Sequence, residues 1–269
     1  MVTHPRLSVD AMCSFSWSFD QDLALWREMG VHHAGLIAAK LSEDRHGKIA
    51  ELRAAGIAPS TIITGPFPLE DRAEWEAGRA VLNAAIDLAA DSGGDTAYFP
   101  PGRSTGAPWR ELLALFAEAI APCVDYGRQR GVRLGFEPSL TTHVSFVHTL
   151  RDAIDVSERT GLALVVDFGH CWMERDLREV LARAAPHISL VQICDVFIGK
   201  LGVSAPRGRV YLGDGELPLH RLMEEVLATG YSGLFDLEAA GPSIGPDDYE
   251  AQLRRGIPRA SAFLDEMGI

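Results

Sequence analysis

Four short apolar runs in this sequence each end in a side chain with an oxygen that a hard metal ion would accept. Leu134–Glu137 reads L-G-F-E, Leu162–His170 reads L-A-L-V-V-D-F-G-H, Ile188–Asp195 reads I-S-L-V-Q-I-C-D, and Gly233–Glu238 reads G-L-F-D-L-E. The terminal groups are Glu137, Asp167, Gln192 and Glu238. Three carboxylates and one amide oxygen form a hard donor set, suited to Mn²⁺ or Mg²⁺; structural zinc favours Cys and His. One such residue could equally bond loop amides. Four together argue for a shared cation, because a buried group of carboxylates without one repels itself.

For these groups to meet, the runs must be neighbouring strands in phase. Strand side chains alternate between faces. Gly135 and Glu137 share one face of the first run, and Ala163, Val165 and Asp167 share one face of the second. Ile188, Leu190 and Gln192 are in phase, as are Leu234, Asp236 and Glu238. Each candidate ligand therefore falls on the inner face, at the C-terminal end of its run.

The remainder of the chain supplies the frame. Strands are expected at Leu7–Cys13, His33–Ile37, Pro59–Thr64, Thr96–Phe99, Val132–Glu137, Leu162–Asp167, Ile188–Ile193 and Leu234–Glu238. Helices are expected at Asp20–Gly30, Asp44–Gly56, Asp71–Ala90, Trp109–Arg130, Leu150–Thr160, Asp176–Ala185, Leu217–Thr229 and Asp247–Met267. Strict alternation implies parallel strands joined by crossover helices. Eight units in 269 residues, 47% of them apolar, favour one α/β (β/α)8 TIM barrel spanning 1–269. No G-x-G-x-x-G follows the first strand, which counts against a Rossmann half. Barrel enzymes build their sites at the C-terminal ends of the strands, where the four candidate ligands lie.

Composition excludes several classes. Lys and Arg number 25 against 37 Asp and Glu, a formal net charge of −12, which opposes nucleic acid as a partner. No apolar run nears the ~20 residues of a membrane span, and Met1–Asp10 has no signal-peptide pattern. Cys13, Cys123, Cys171 and Cys194 show no C-x-x-C pair, so a reduced, cytoplasmic protein is expected. Cys171 and Cys194 lack a base partner and are expected to pack as small hydrophobes.

Other residues could serve a substrate. His170 follows Asp167 by three, and Gly169 permits a turn that returns the imidazole toward the ligands; the competing reading is a helix-capping loop histidine. Arg207 and Arg209 precede G-D-G-E (Gly213–Glu216) in a long loop that could close over a ligand or stay solvated. Lys40 is a candidate of the same kind. Trp17, Phe67 and Trp172 could wall a small polyol or pack at the rim.

These motifs carry a resemblance. G-V-R-L-G-F-E-P (Gly131–Pro138), V-V-D-F-G-H (Val165–His170), V-Q-I-C-D (Val191–Asp195), L-G-D-G-E-L-P-L (Leu212–Leu219) and F-D-L-E (Phe235–Glu238) resemble the xylose-isomerase-like TIM-barrel superfamily, the sugar phosphate isomerase/epimerase group. The resemblance implies a divalent metal on Glu137, Asp167 and Glu238, with Gln192 in the place most often held by histidine, as in the hydroxypyruvate-isomerase-like branch. It also implies His170 and Arg209 as the family's histidine and loop arginine.

Mn²⁺ or Mg²⁺ is the expected metal, and Zn²⁺ or Co²⁺ could replace it. The implied reaction is isomerisation or epimerisation of a sugar or related polyhydroxy carbonyl compound through a metal-bound enediolate, with Glu137 and Glu238 moving the proton. The same site could instead dehydrate a cyclic keto-polyol of the inosose or dehydroshikimate type, and a third reading is a sugar-binding barrel without catalysis. Relatives are often dimers or tetramers. No sequence motif marks a phosphate cradle.

Overall fold

The computed structural model describes residues 3–198, 208–240 and 244–269. Eight parallel strands close on themselves as a barrel: β1 (Leu7–Asp10), β2 (His33–Ile37), β3 (Ala58–Ile63), β4 (Thr96–Phe99), β5 (Arg133–Phe136), β6 (Ala163–Asp167), β7 (Ile188–Ile193) and the last strand, β10 (Phe235–Leu237). The order around the barrel is β1-β10-β7-β6-β5-β4-β3-β2, so strands adjacent in sequence are adjacent in space and the last closes on the first. The structure is a single (β/α)8 TIM barrel.

The surrounding helices are α1 (Phe19–Met29), α2 (Arg45–Ala54), α3 (Trp75–Ser92), α4 (Trp109–Arg130), α5 (Leu150–Thr160), α7 (Leu177–Ala184), α8 (Leu219–Leu227) and α9 (Tyr249–Glu266). Their limits follow local chemistry. Ser18 and Gln21 form a reciprocal capping box at the start of α1. Gly30 and Gly131 end α1 and α4 at φ of 67° and 70°, a left-handed conformation that glycine adopts without a Cβ clash. No helix among the described residues is long and apolar enough to cross a membrane.

The expected strands at His33–Ile37, Thr96–Phe99 and Ile188–Ile193, and the expected helices at Trp109–Arg130 and Leu150–Thr160, coincide with the observed ones. The first strand is shorter than expected. It stops at Asp10, whose side chain caps a 3-10 turn over Ala11–Ser14, so the apolar residues that seemed to extend the strand belong to that turn.

Two further elements were not expected. Phe168–Cys171 forms a short helix, α6, directly after β6. β8 (Asp195–Val196) and β9 (Arg209–Val210) pair antiparallel as a ribbon over the barrel mouth. Both carry residues of the site.

Candidate functional site

The three carboxylates converge at the barrel mouth. Asp167 is the last residue of β6, and Glu137 and Glu238 each stand one residue beyond their strands. The Glu137 amide donates to Phe99 O (3.2 Å) and the Glu238 amide to Ile193 O (3.1 Å). Each glutamate is thus anchored to a neighbouring strand, and both are buried. Asp167 Oδ1 accepts from the Gly169 amide at 2.7 Å, starting α6. That turn swings His170 back, placing its Nε2 3.3 Å from Glu137 Oε1 and 3.8 Å from Asp167 Oδ2.

Arg209 enters this group from β9 and is only 3% exposed. Its Nη2 pairs with Asp167 Oδ2 and lies 3.7 Å from Glu137 Oε1, while its Nη1 lies 3.1 Å from Glu238 Oε1. One planar guanidinium therefore bridges three carboxylates that would otherwise repel one another. Gly169 makes the approach possible: a Cβ there would stand 2.9 Å from both Arg209 Nε and Cys194 Sγ. The sequence assigned Gly169 to a turn, and its closer role is to leave room for the arginine.

Asp195 shapes the loop after β9. Its carboxylate accepts from the amides of Val196 (2.8 Å), Gly213 (3.1 Å), Gly215 (3.1 Å) and Leu217 (2.9 Å), folding the G-D-G-E segment back under the ribbon.

His170 is held from both sides. Nδ1 faces the Leu140 amide at 3.4 Å, and Nε2 faces Ser139 Oγ at 3.1 Å and Arg209 Nη2 at 2.7 Å. Ser139, two residues past Glu137, is a positioning residue that sequence reasoning missed. The only sequence signal was its place just beyond a strand end. His148 Nδ1 bonds Ser139 O at 2.8 Å, which accounts for that histidine as a loop support.

Electrostatics separate the carboxyls. For Glu137, burial is the largest influence and pushes its pKa up, but the hydrogen bond and charge of His170 together with the charge of Arg209 bring it below its ordinary value. Burial lifts Asp167 above its ordinary value against the pull of Arg209 and His170. Glu238 is raised well above the carboxylate range, by burial first, with Glu137 and Asp167 adding to it against Arg209. Burial likewise pushes the Cys171 and Cys194 thiols up, in keeping with inert packing.

Gln192 reaches across the barrel beneath these groups, its Nε2 donating to Tyr98 Oη at 2.9 Å, and it is fully buried. Its Oε1 has no partner, and neither has Glu238 Oε2.

The other candidates are placed differently. Lys40 is not brought to the site: its ammonium is shared by Asp22 Oδ2 (2.7 Å), Ser14 O (2.9 Å) and Ala11 O (3.2 Å), and ties the segment after β2 to the turn after β1. Trp172 is half-buried against the core and does not line the cavity. Arg207 lies outside the described residues.

Above the cluster is an open cavity of about 730 Å³. Glu137, Ser139, His170, Arg209 and Glu238 form its polar end. Its walls are mainly apolar, among them Met12, Phe15, Ile37, Ile63, Ile244 and Tyr249. The aromatic walls are Phe15 and Tyr249, with Trp17 behind Tyr249 in an edge contact at 5.9 Å; Phe67 is buried against Phe99 instead.

The donor set fits a divalent metal. One ligand atom each from Glu137, Asp167 and His170 lies within 4.8 Å of the others, all three residues being buried, and two further buried oxygens nearby are unpartnered. Hard oxygens with one imidazole suit ions from Mg²⁺ and Mn²⁺ to Zn²⁺.

The comparisons with known proteins bear on the same frame. A sequence model of the family described as xylose isomerase-like TIM barrel matches residues 26–266. The chain belongs to this family. Among solved structures, the IolI protein with a bound zinc atom superposes with a TM-score of 0.82 at 17% identity, covering 97% of each chain. Protein SMc04130 from Sinorhizobium meliloti 1021 gives 0.81 at 22% identity, over 94% of this chain and 98% of that one. An L-ribulose 3-epimerase gives 0.76 at 20% identity, over 99% of this chain and 94% of that one. At these identities the likeness is one of fold. No curated protein matches the chain.

Proposed function

We propose that this xylose-isomerase-like barrel is a divalent-metal-dependent isomerase or epimerase of a sugar or related polyhydroxy carbonyl compound. The observation that carries the reading is a pair of buried glutamates on two sides of one guanidinium at the polar end of the cavity. Two carboxylates placed on either side of one bound substrate are the arrangement that proton removal and return at one carbon require. Neighbours in fold that are described as L-ribulose 3-epimerase and D-allulose 3-epimerase support the reaction class.

Glu137 and Asp167, whose ligand atoms lie together beside His170, would hold the metal, with Glu238 from the other side of the guanidinium and the amide oxygen of Gln192 as further donors. Bound, a Mn²⁺ or Mg²⁺ ion would polarise the substrate carbonyl and acidify the C–H beside it. Glu137 would take that proton at Oε1. His170, at 3.3 Å from the same oxygen, passes a proton to or from the substrate oxygen. Glu238 returns a proton, to the neighbouring carbon for isomerisation or to the opposite face of the same carbon for epimerisation. Arg209, at the polar end of the cavity, would hold the carboxylates in place and meet substrate oxygens where a bound metal takes over its carboxylate partners. Among the described residues lining the cavity, Arg209 is the single Lys or Arg side chain and is already shared by three carboxylates.

The raised Glu238 also suits proton delivery to a departing hydroxyl, which would make the enzyme a dehydratase of a cyclic keto-polyol. A panel of free ketoses and keto-polyols incubated with the Mn²⁺-loaded protein separates the readings. An isomeric or epimeric sugar supports the proposal, a new conjugated chromophore supports dehydration, and no conversion of any panel member counts against both.

A further inference from the structure

Below the mouth, the barrel holds a second pair of carboxylates that the reaction does not use. Asp10 closes β1 and Asp236 sits in the middle of β10; both are 0% exposed. The two strands are paired with Ser8 opposite Asp236, so Asp10 lies two residues further along β1 on the same inward face.

Gly35 on β2 shows that they share one space. A Cβ added at Gly35 would lie 3.2 Å from Asp236 Oδ2 and would overlap Asp10 Oδ2. The side chain that glycine lacks is therefore the room into which both carboxylates reach. Thr61 on β3 is the register partner of Gly35, and partners in a parallel ladder point to the same face. Thr61 Oγ1 is thus aimed into the same space, and the residue is 1% exposed.

The hydrogen bonds do not satisfy this group. Asp10 Oδ1 accepts from the Met12 amide at 2.7 Å. Asp10 Oδ2, both oxygens of Asp236 and Thr61 Oγ1 make no hydrogen bond of good geometry; Asp236 interacts with the Asp10 carboxyl and with the Ser8 hydroxyl of the paired strand. The nearest cations are committed elsewhere, Lys40 to Asp22 and Arg209 to the mouth carboxylates. Buried carboxylates are costly unless a counter-charge or hydrogen bonds compensate them. Here two acidic groups and a hydroxyl, with no nitrogen or sulfur among them, converge on one buried space. Hard divalent cations of the Mg²⁺, Mn²⁺ and Ca²⁺ type choose that donor chemistry.

We propose that Asp10, Asp236 and Thr61 form a second cation site on the barrel floor, separate from the mouth cluster, which takes a hard divalent ion. The ion would compensate the paired carboxylates and tie β1, β3 and β10 together across the gap left by Gly35. The site is built from strand interiors, so it is structural in character and does not depend on the reading of the mouth.

The probe is Mn²⁺ on the full chain, followed by anomalous diffraction and by metal content after gel filtration. The expected result is an anomalous peak within coordinating distance of Asp10 and Asp236, in addition to any peak at the mouth. Asp10→Asn with Asp236→Asn should lose one equivalent of Mn²⁺ and leave the mouth peak, whereas Asp167→Asn should weaken the mouth peak and leave the floor. If the double variant does not fold, the wild-type anomalous map still decides. A map with a mouth peak and no density at the floor would overturn the proposal. So would an infrared carboxylic-acid band that persists at saturating Mn²⁺ and vanishes in Asp236→Asn, because a shared proton would then be the compensating charge. Loss of the mouth peak alone would instead count against the proposed function.

Discussion

The barrel encloses acidic groups at two levels and treats them differently. At the mouth, Glu137, Asp167 and Glu238 surround a guanidinium and an imidazole. On the floor, Asp10 and Asp236 face each other beside Gly35 with no basic side chain between them. The difference shows what each level can do. A carboxylate group that faces a cavity and shares a cation from another segment can meet a ligand and move protons. A pair without one is compensated in place, by the ion proposed above or by a shared proton, so it belongs to the frame. Arg209 can serve at the mouth because it comes from a two-residue ribbon lying over the barrel, whereas the floor is made of ladder residues with no freedom to withdraw.

The comparison breaks first at Glu137. Glu137→Gln should reduce turnover by about 10²–10⁴-fold, the usual contribution of a positioned base, while much of the metal is retained. Turnover within a few-fold of wild type at equal metal content would remove Glu137 from the proton path.

The second test is Arg209→Met, which leaves three buried carboxylates without their cation. Urea unfolding of the metal-free variant should show a loss of about 3–5 kcal/mol, the scale for stranding a buried charge, and added Mn²⁺ should recover part of it. Equal stability of variant and wild type would mean that the guanidinium does not compensate the cluster.

An intermediate case is Asp22, buried with one cation, Lys40, at 2.7 Å. Burial, opposed by Lys40, raises its pKa from 3.8 to about 6. The folded chain therefore holds this proton more tightly than the unfolded chain does. The stabilisation is complete below about pH 4 and is lost as pH rises through about 6, amounting to roughly 3 kcal/mol at most. Stability measured between about pH 4 and pH 7 should fall more steeply for wild type than for Asp22→Asn; parallel curves would contradict the assignment.

The smallest expected effect is at Gly35. Gly35→Ala pushes a methyl group between Asp10 and Asp236 and should cost about 1–3 kcal/mol in urea unfolding, as overpacking does. It sharpens the comparison, because the same substitution should weaken Mn²⁺ binding at the floor more than at the mouth.

The mouth was legible in the sequence for a physical reason. Glu137, Asp167 and Glu238 each end an apolar run, and a period of two fixes which face they share. Arg209 could be named as a candidate but not placed, since the ribbon that carries it has two residues per strand and no periodicity to detect. Lys40 looked equally available, and only tertiary contacts reveal that three oxygens hold it. The floor was hidden in a different way. Asp236 could be put in phase with Glu238, but its partner Asp10 is 226 positions earlier, inside a run that read as continuous strand to Cys13. No local pattern reports that two such residues meet across the seam where the barrel closes. Gly35 gave no sign either, because the need for glycine there comes from atoms of other strands.

The most direct test of the central claim is deuterium wash-in. The Mn²⁺-loaded protein would be incubated in D2O with free ketoses and keto-polyols, and solvent deuterium followed at the carbon beside the carbonyl. The account predicts incorporation at that carbon in at least one substrate and its loss in Glu137→Gln. Conversion of a substrate without any solvent deuterium at that carbon, or incorporation unchanged in Glu137→Gln, would contradict it.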